Sequence, residues 1–161
     1  MNIETETDTQ RRITAGFQLI RIVLSFIVFT VIVLTILPHL GIIKLNQENL
    51  VARASLTNIF LIFAIFLAVL GFTARKLLLK VKKKENYQEH LSACLQTVHI
   101  SHLVSFAIFE SIALLGFVNF VISADPQSNL IFSAISFVAM IFAWPKKSQL
   151  LEIIGPQISS S

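Results

Sequence analysis

The sequence predicts an all-α membrane protein with four transmembrane helices. Of its 161 residues, 55% are hydrophobic and only 14% are charged, whereas a soluble domain carries about 25% charged residues. The mean hydropathy is +0.77. Fourteen of the aromatic residues are Phe, with one Trp and one Tyr, and a Phe ring needs no polar partner in lipid. So short a chain cannot bury this much apolar surface in a water-soluble core.

Four apolar segments supply the predicted spans, at about residues 17–38, 54–76, 100–122 and 128–145. The first three are close to the roughly 20 residues needed to cross the hydrocarbon. The fourth runs only from Leu130 to Trp144 when read strictly, and gains length when Pro126 and Pro145 are taken as its limits. Residues 1–16 are predicted to be a polar N-terminal tail and 148–161 a C-terminal tail, so 17–147 form one transmembrane domain.

Basic residues predict the orientation of the helices. With four spans, eleven of the thirteen Lys and Arg residues fall on the side that also holds both termini, and only Lys44 and Arg53 fall on the other. This bias predicts cytoplasmic termini in a multi-pass protein of the cell (inner) membrane. Six of the eleven form a predicted anchor to anionic lipid headgroups: Arg75, Lys76, Lys80, Lys82, Lys83 and Lys84. The clustering beside apolar spans accounts for the net charge of +4 without nucleic acid.

The third span carries the candidate site. Glu110 lies near its middle, and an ionisable side chain at that depth is a functional-site hypothesis by default. His99, His102, Phe106 and Glu110 fall within about 80° of one another on a helix. Because imidazole titrates near neutral pH, His99 and His102 are candidates to pass protons from the cytoplasm to Glu110, with Phe106 interrupting the path.

Several interpretations of Glu110 remain open. The first is a neutral carboxyl group hydrogen-bonded to a Ser or Thr of a neighbouring helix, the second is a group that binds and releases a proton or sodium ion, and the third is an ion pair with Arg21. His99 and His102 are three residues apart and His90 lies nearby, but no Cys joins them and the chain has no His-x3-His pair, so no metal and no cofactor are predicted. Cys94 is read as a small apolar side chain.

Small residues predict where the helices pack closely. Ala64, Ala68 and Gly71 share one side of the second span, and Ser105 and Gly116 lie on a second stripe of the third span. Small side chains at such spacing let neighbouring backbones approach each other in a membrane. The chain has no glycine-rich phosphate loop, nucleophile elbow or zincin motif. It is therefore predicted not to be an enzyme.

The segment from Phe106 to Phe120, with Glu110 followed by small and aliphatic residues and then Gly116, resembles the ion-carrying helix of V-type rotary ATPase proteolipids. In that family the glutamate binds the transported proton or sodium ion. The resemblance implies an ion-binding role for Glu110 and a packing role for Gly116. It covers about fifteen residues of the chain.

Two functions are consistent with these patterns. The first is a non-catalytic membrane component that packs with itself, as a homo-oligomer, or with other membrane subunits. The second is a proton- or cation-coupled transport component that uses Glu110. The expected partners are the lipid bilayer and other membrane-embedded chains.

Overall fold

The computed structural model describes residues 3–40, 50–79 and 87–146, which form four α-helices. Helix α1 spans Ile3–Ile36 and is followed by a 3₁₀ turn, Leu37–Leu40. Helices α2, α3 and α4 span Leu50–Leu78, Tyr87–Ser123 and Pro126–Phe142. No strand occurs within these three ranges. The prediction of an all-α fold with four helices is confirmed.

Three of the helices are long and apolar enough to cross a membrane. The qualifying segments are Thr14–Leu40, Leu56–Leu78 and Ser92–Ser123, whereas α4 is a shorter apolar helix of 17 residues. Helix α1 begins at Ile3, so its first turns lie within the segment predicted to be a polar tail. The predicted C-terminal tail, 148–161, lies outside the described residues, as do four of the anchor residues: Lys80, Lys82, Lys83 and Lys84.

Local chemistry ends α3 and starts α4 within two residues. Ala124 adopts a left-handed conformation with φ 54°, which is uncommon for a residue other than glycine, and its N–H donates to the Phe120 carbonyl. Asp125 then caps α4, because its carboxylate accepts hydrogen bonds from the N–H groups of Gln127 and Ser128. The two helices therefore form a tight antiparallel hairpin.

Interhelical contacts show that adjacent helices in the sequence run in opposite directions. Near the beginning of α1 and α3, Gly16 lies beside His99. Near their other end, the Asn129 amide at the start of α4 donates to the Leu34 carbonyl. We call the end of the bundle where α1 and α3 begin the basal end, and the opposite end, where α2 and α4 begin, the distal end.

Helix α3 occupies the centre of the bundle and packs against the other three, while α1 and α2 have almost no contact with each other. Two glycines bring α3 close to its neighbours. A Cβ atom added to Gly71 of α2 would lie 2.4 Å from the Phe109 ring, and one added to Gly116 of α3 would lie 2.5 Å from Cβ of Phe132 on α4.

Two serine hydroxyls add hydrogen bonds at the same two contacts. Ser105 donates to the Gly71 carbonyl at 3.1 Å, and Ser136 of α4 donates to the Phe109 carbonyl at 2.7 Å. Hydroxyl-to-backbone bonds of this kind require the close backbone approach that small residues allow. The centre of the bundle is thus fixed both by packing and by directional contacts.

The outward surfaces of α1 and α2 are apolar. Phe26 is 70% exposed on α1, and Ile62 is 70% exposed on α2. Exposed apolar side chains follow both helices for most of their length, and continuous apolar surface of this kind is uncommon on soluble monomers. These two faces need an apolar environment.

Candidate functional site

A cluster of ionisable side chains lies inside the basal end of the bundle. His102 is only 1% exposed and Arg75 only 8% exposed. The Arg75 guanidinium and the His99 ring both act electrostatically on His102, so α2 and α3 bring three potentially cationic groups close together.

His102 also holds the end of α4. Its ring makes a hydrogen bond with the backbone of Ala143, the residue that caps the C-terminus of α4. The last carbonyls of a helix have no partner within the helix, and a buried imidazole N–H supplies one here. Within the described part of the chain, Nδ1 of His102 and Nε2 of His99 are buried without a hydrogen-bond partner. His99 packs instead against Gly16 of α1.

Glu110 lies at the edge of the interface between α3 and its neighbours and is partly exposed. Its carboxyl group makes neither a hydrogen bond nor an ion pair with any residue that the structure describes. The interpretation in which it bonds to a Ser or Thr of a neighbouring helix therefore finds no such bond within this chain. A carboxyl group in an apolar segment is costly unless it is partnered.

The interpretation that pairs Glu110 with Arg21 fails on geometry. Arg21 is exposed on α1, and its guanidinium lies over the Phe17 ring at 5.1 Å from the ring centroid. Because Gly16 faces His99 and the two helices are parallel, Arg21 is level with about residue 104 of α3. Glu110 lies about 9 Å further along the helix axis, and no ion pair joins the two side chains.

Phe106 separates the histidines from Glu110. Its side chain is fully buried, and its ring contacts the Trp144 indole with ring centroids 5.9 Å apart. His102 and Glu110 are eight residues apart, or about 12 Å along the helix. The histidines and Glu110 do lie on one stripe of α3. However, the Phe106 and Trp144 rings lie between His102 and Glu110.

The predicted packing residues of α2 lie at its contact with α3 or near it, whereas Gly116 of α3 faces Phe132 of α4. Ala64 is fully buried, Ala68 packs against the core, and Gly71 faces Phe109. Arg75 differs from its prediction as a lipid anchor, since it lies one helical turn after Gly71 and so points towards α3 rather than outward. Lys76, the next residue, is exposed.

A second polar group, at the distal end, was not predicted. Asn119 of α3 is fully buried, donates to the Ser128 hydroxyl at 2.8 Å and accepts from the Thr57 hydroxyl at 3.2 Å. These bonds join α2, α3 and α4, and the bond from Asn129 to the Leu34 carbonyl adds α1. The signal in the sequence was the presence of asparagines next to apolar runs, because a buried amide requires partners.

The fold and these sites define an all-α bundle of four helices, three of them long and apolar, with a cationic cluster at one end and an amide network at the other. Comparison of the chain with models of known protein families, with curated proteins and with solved structures gives no match. Among the residues whose side chains are described, no three of His, Cys, Asp and Glu are placed to share a metal ion.

Proposed function

We propose that the chain is an integral membrane protein that crosses the cell (inner) membrane four times, with both termini in the cytoplasm. The apolar outward faces of α1 and α2 support insertion, because lipid supplies the environment they need. The four helices alternate in direction, which supports four crossings and places both termini on the same side. Arg11, Arg75, Lys76 and Lys146 all belong to the basal end, which we assign to the cytoplasmic side by the distribution of basic residues.

Labelling of introduced cysteines tests this topology. In a Cys94→Ala background, Asn46→Cys and Gln127→Cys are expected to react with a membrane-impermeant maleimide applied to intact cells. Lys84→Cys is the control and is expected to react only after the cells are opened. Reaction of residues 46 and 127 only in opened cells would contradict the assignment.

Within that membrane protein, we propose a non-catalytic role: the chain packs against another membrane-embedded polypeptide through the face that contains Glu110. The observation that carries this proposal is the carboxyl group of Glu110, which lies in an apolar span, is partly exposed and has no partner among the described residues. A group from another chain that reaches the same depth removes the cost of leaving it unpaired in lipid.

The test measures the size of the assembly in nanodiscs, by native mass spectrometry, for the full-length protein extracted from its own membrane. The wild-type protein is expected to form a complex larger than one chain, and Glu110→Leu is expected to lose it. Thr30→Leu is the matched control, because it also replaces an exposed polar side chain of a span, but on α1. If Glu110→Leu leaves the assembly unchanged, the packing role of this face is wrong.

A second candidate function, proton- or cation-coupled transport, is favoured by the same free carboxyl group. Because the Glu110 carboxyl group has no partner among the described residues, it is available to bind an ion. The resemblance to proteolipids implies such a role. This function predicts dicyclohexylcarbodiimide labelling of Glu110 that the transported ion suppresses, and loss of ion flux in Glu110→Gln. The Phe106–Trp144 pair weighs against it, because among the described residues this apolar pair lies between His102 and Glu110.

A further inference from the structure

His102 of α3 lies beneath the C-terminal end of α4. Its side chain is only 1% exposed, and its ring bonds to the backbone of Ala143, the fully buried residue that caps α4. Trp144, the next residue, packs on the ring of Phe106, one turn beyond His102, with ring centroids 5.9 Å apart. The end of α4 therefore closes the basal end of the bundle over a buried imidazole.

The hydrogen bonds at this contact show which atom of His102 would take up a proton. The Ala143 N–H already donates to carbonyl groups of α4, so the ring meets the Ala143 carbonyl, which only accepts. Since Nδ1 of His102 has no partner among the described residues, the donor is Nε2–H, and Nδ1 of the neutral ring carries a lone pair. The next proton adds to Nδ1, and the N–H group that forms there needs an acceptor that the described residues do not supply.

The groups that face His102 from the surrounding helices oppose a positive charge on its ring. Arg75 of α2 is 8% exposed and acts electrostatically on the ring, as does His99 of α3. The other basic side chains that are described at the basal end are exposed: Arg11 and Arg21 of α1, Lys76 of α2 and Lys146 after α4. A proton on His102 would thus add a second charge beside a buried guanidinium.

Carboxylates lie too far away to balance this charge. Among the acidic residues whose side chains the structure describes, Glu110 is about 12 Å further along the α3 axis, and Asp125 is at the distal end. A protonated His102 would therefore be a buried charge without a counter-ion. Burying such a charge is far more unfavourable than the attraction between a cation and a helix C-terminus is favourable. Water is the remaining source of compensation, and the closed bundle keeps it from the ring.

We propose that His102 is a pH-sensitive latch on the end of α4. With a neutral ring it holds Ala143 and Trp144 in place, and uptake of a proton at Nδ1 releases them and admits water to the basal end. The end of α4 is the part that moves, because helix termini open more easily than helix centres, whereas the hydrogen bond from Ser105 to the Gly71 carbonyl fixes α3 to α2. This device is independent of the packing role proposed above.

The direction of the effect follows from proton linkage. The open form binds a proton at Nδ1 of His102 more readily than the closed form, because water surrounds the ring only in the open form. Lower pH therefore favours opening, and above the ordinary titration range of imidazole, around pH 6.5, the latch stays closed. Because one proton is taken up, the ratio of open to closed molecules rises at most about tenfold for each pH unit below that range.

Fluorescence of Trp144 measures the opening directly, because it is the single tryptophan of the chain. The full-length protein is held in nanodiscs and titrated from about pH 8 to about pH 5, which brackets the range of imidazole. The emission is expected to shift to longer wavelength and its quenching by acrylamide to increase, reversibly and with a midpoint below about pH 6.5. An emission wavelength and a quenching constant that do not change over this range would overturn the proposal.

Substitution of the two histidines identifies the group that titrates. His102→Gln is expected to abolish the transition and keep Trp144 protected, because glutamine retains an N–H for the Ala143 carbonyl but takes up no proton in this range. His99→Gln is the matched control on the same helix and is expected to keep the transition. Loss of the transition in His99→Gln but not in His102→Gln would refute the assignment to His102.

A second pair of variants tests the role of charge. Arg75→Gln is expected to move the transition to lower pH, because a proton on His102 is less unfavourable in the closed form once the guanidinium is removed. Lys76→Gln removes an adjacent but exposed charge and is expected to leave the midpoint unchanged. A midpoint in Arg75→Gln that is unchanged or higher, or a Trp144 that is already exposed at about pH 8, would show that charge beside His102 does not drive the opening, and would contradict the latch.

Discussion

Gly116→Ala is expected to destabilise the bundle by about 2 kcal/mol, although alanine favours a helix by about 1 kcal/mol over glycine. The new Cβ would lie 2.5 Å from Cβ of Phe132 and 3.2 Å from Oδ1 of Asn129. Overpacking a well-filled site costs typically 1 to 3 kcal/mol and occasionally more. A Cβ atom cannot turn away as the end of a long side chain can, so α4 itself has to shift, and the cost should be in the upper part of that range.

Gly16→Ala is the matched control for Gly116→Ala. Its Cβ would lie 3.6 Å from the His99 ring, an ordinary van der Waals distance, so only the gain in helix propensity remains. Unfolding by sodium dodecyl sulfate in mixed micelles measures both variants. If both raise the free energy of unfolding, the contact between α3 and α4 is looser than the structure shows.

Phe109→Ala is expected to lower the free energy of unfolding by about 2 to 4 kcal/mol. Removing a buried aromatic ring leaves a cavity, and such changes cost about 3 to 5 kcal/mol in soluble cores. Phe109 is fully buried against Gly71 and contacts the rings of Phe72 and Phe106 at centroid distances of 5.0 and 6.4 Å. The expected loss is smaller for the proposed membrane protein, because transfer of a ring from lipid to a protein interior contributes little.

Phe26→Ala is the control, since Phe26 is 70% exposed and its loss leaves no cavity. A double-mutant cycle with Gly71→Ala sharpens the test. Alone, the Cβ added at Gly71 would lie 2.4 Å from the Phe109 ring; with the ring removed by Phe109→Ala, the same alanine fits. Strictly additive effects of the two substitutions would show that they do not share this contact.

The sequence predicted the helices because their lengths and composition carry strong signals. Pro38 lies in the 3₁₀ turn that follows α1, and Asp125 and Pro126 start α4, close to the limits predicted for the first and fourth spans. Polar tails at 1–16 and 148–161 were argued from composition alone. Helix α1 begins at Ile3, but its residues before Phe17 include several charged side chains. Apolar composition therefore does not identify this part of the chain as helix.

The order of the helices in space was beyond the sequence. Every span is apolar on all sides, so periodicity does not reveal which face of α3 turns inward. His102 and Phe106 are buried while Glu110, on the same stripe, is partly exposed. The sequence placed these residues on one stripe, but only the positions of α2 and α4 decide where the buried part of the stripe ends.

The two polar groups in the interior were hard to predict for different reasons. Asn119 was visible as an amide in an apolar run, but its partners, Ser128 and Thr57, belong to other helices. Arg75 was grouped with the lysines that follow it in the chain. Its place on the stripe of Ala64, Ala68 and Gly71, one turn beyond the glycine, was the available evidence that it faces α3 instead.

In the proposed membrane topology, the length of α4 has a consequence for the surrounding bilayer. Seventeen residues at a rise of about 1.5 Å each give a helix about 26 Å long, a few ångströms shorter than an average hydrocarbon core of about 30 Å. Helix α3 is longer than that thickness, so the bundle is shorter along the membrane normal at α4 than at α3. Lipids beside α4 are expected to compress, and a thin bilayer should therefore accommodate this chain at lower cost than a thick, sterol-rich one.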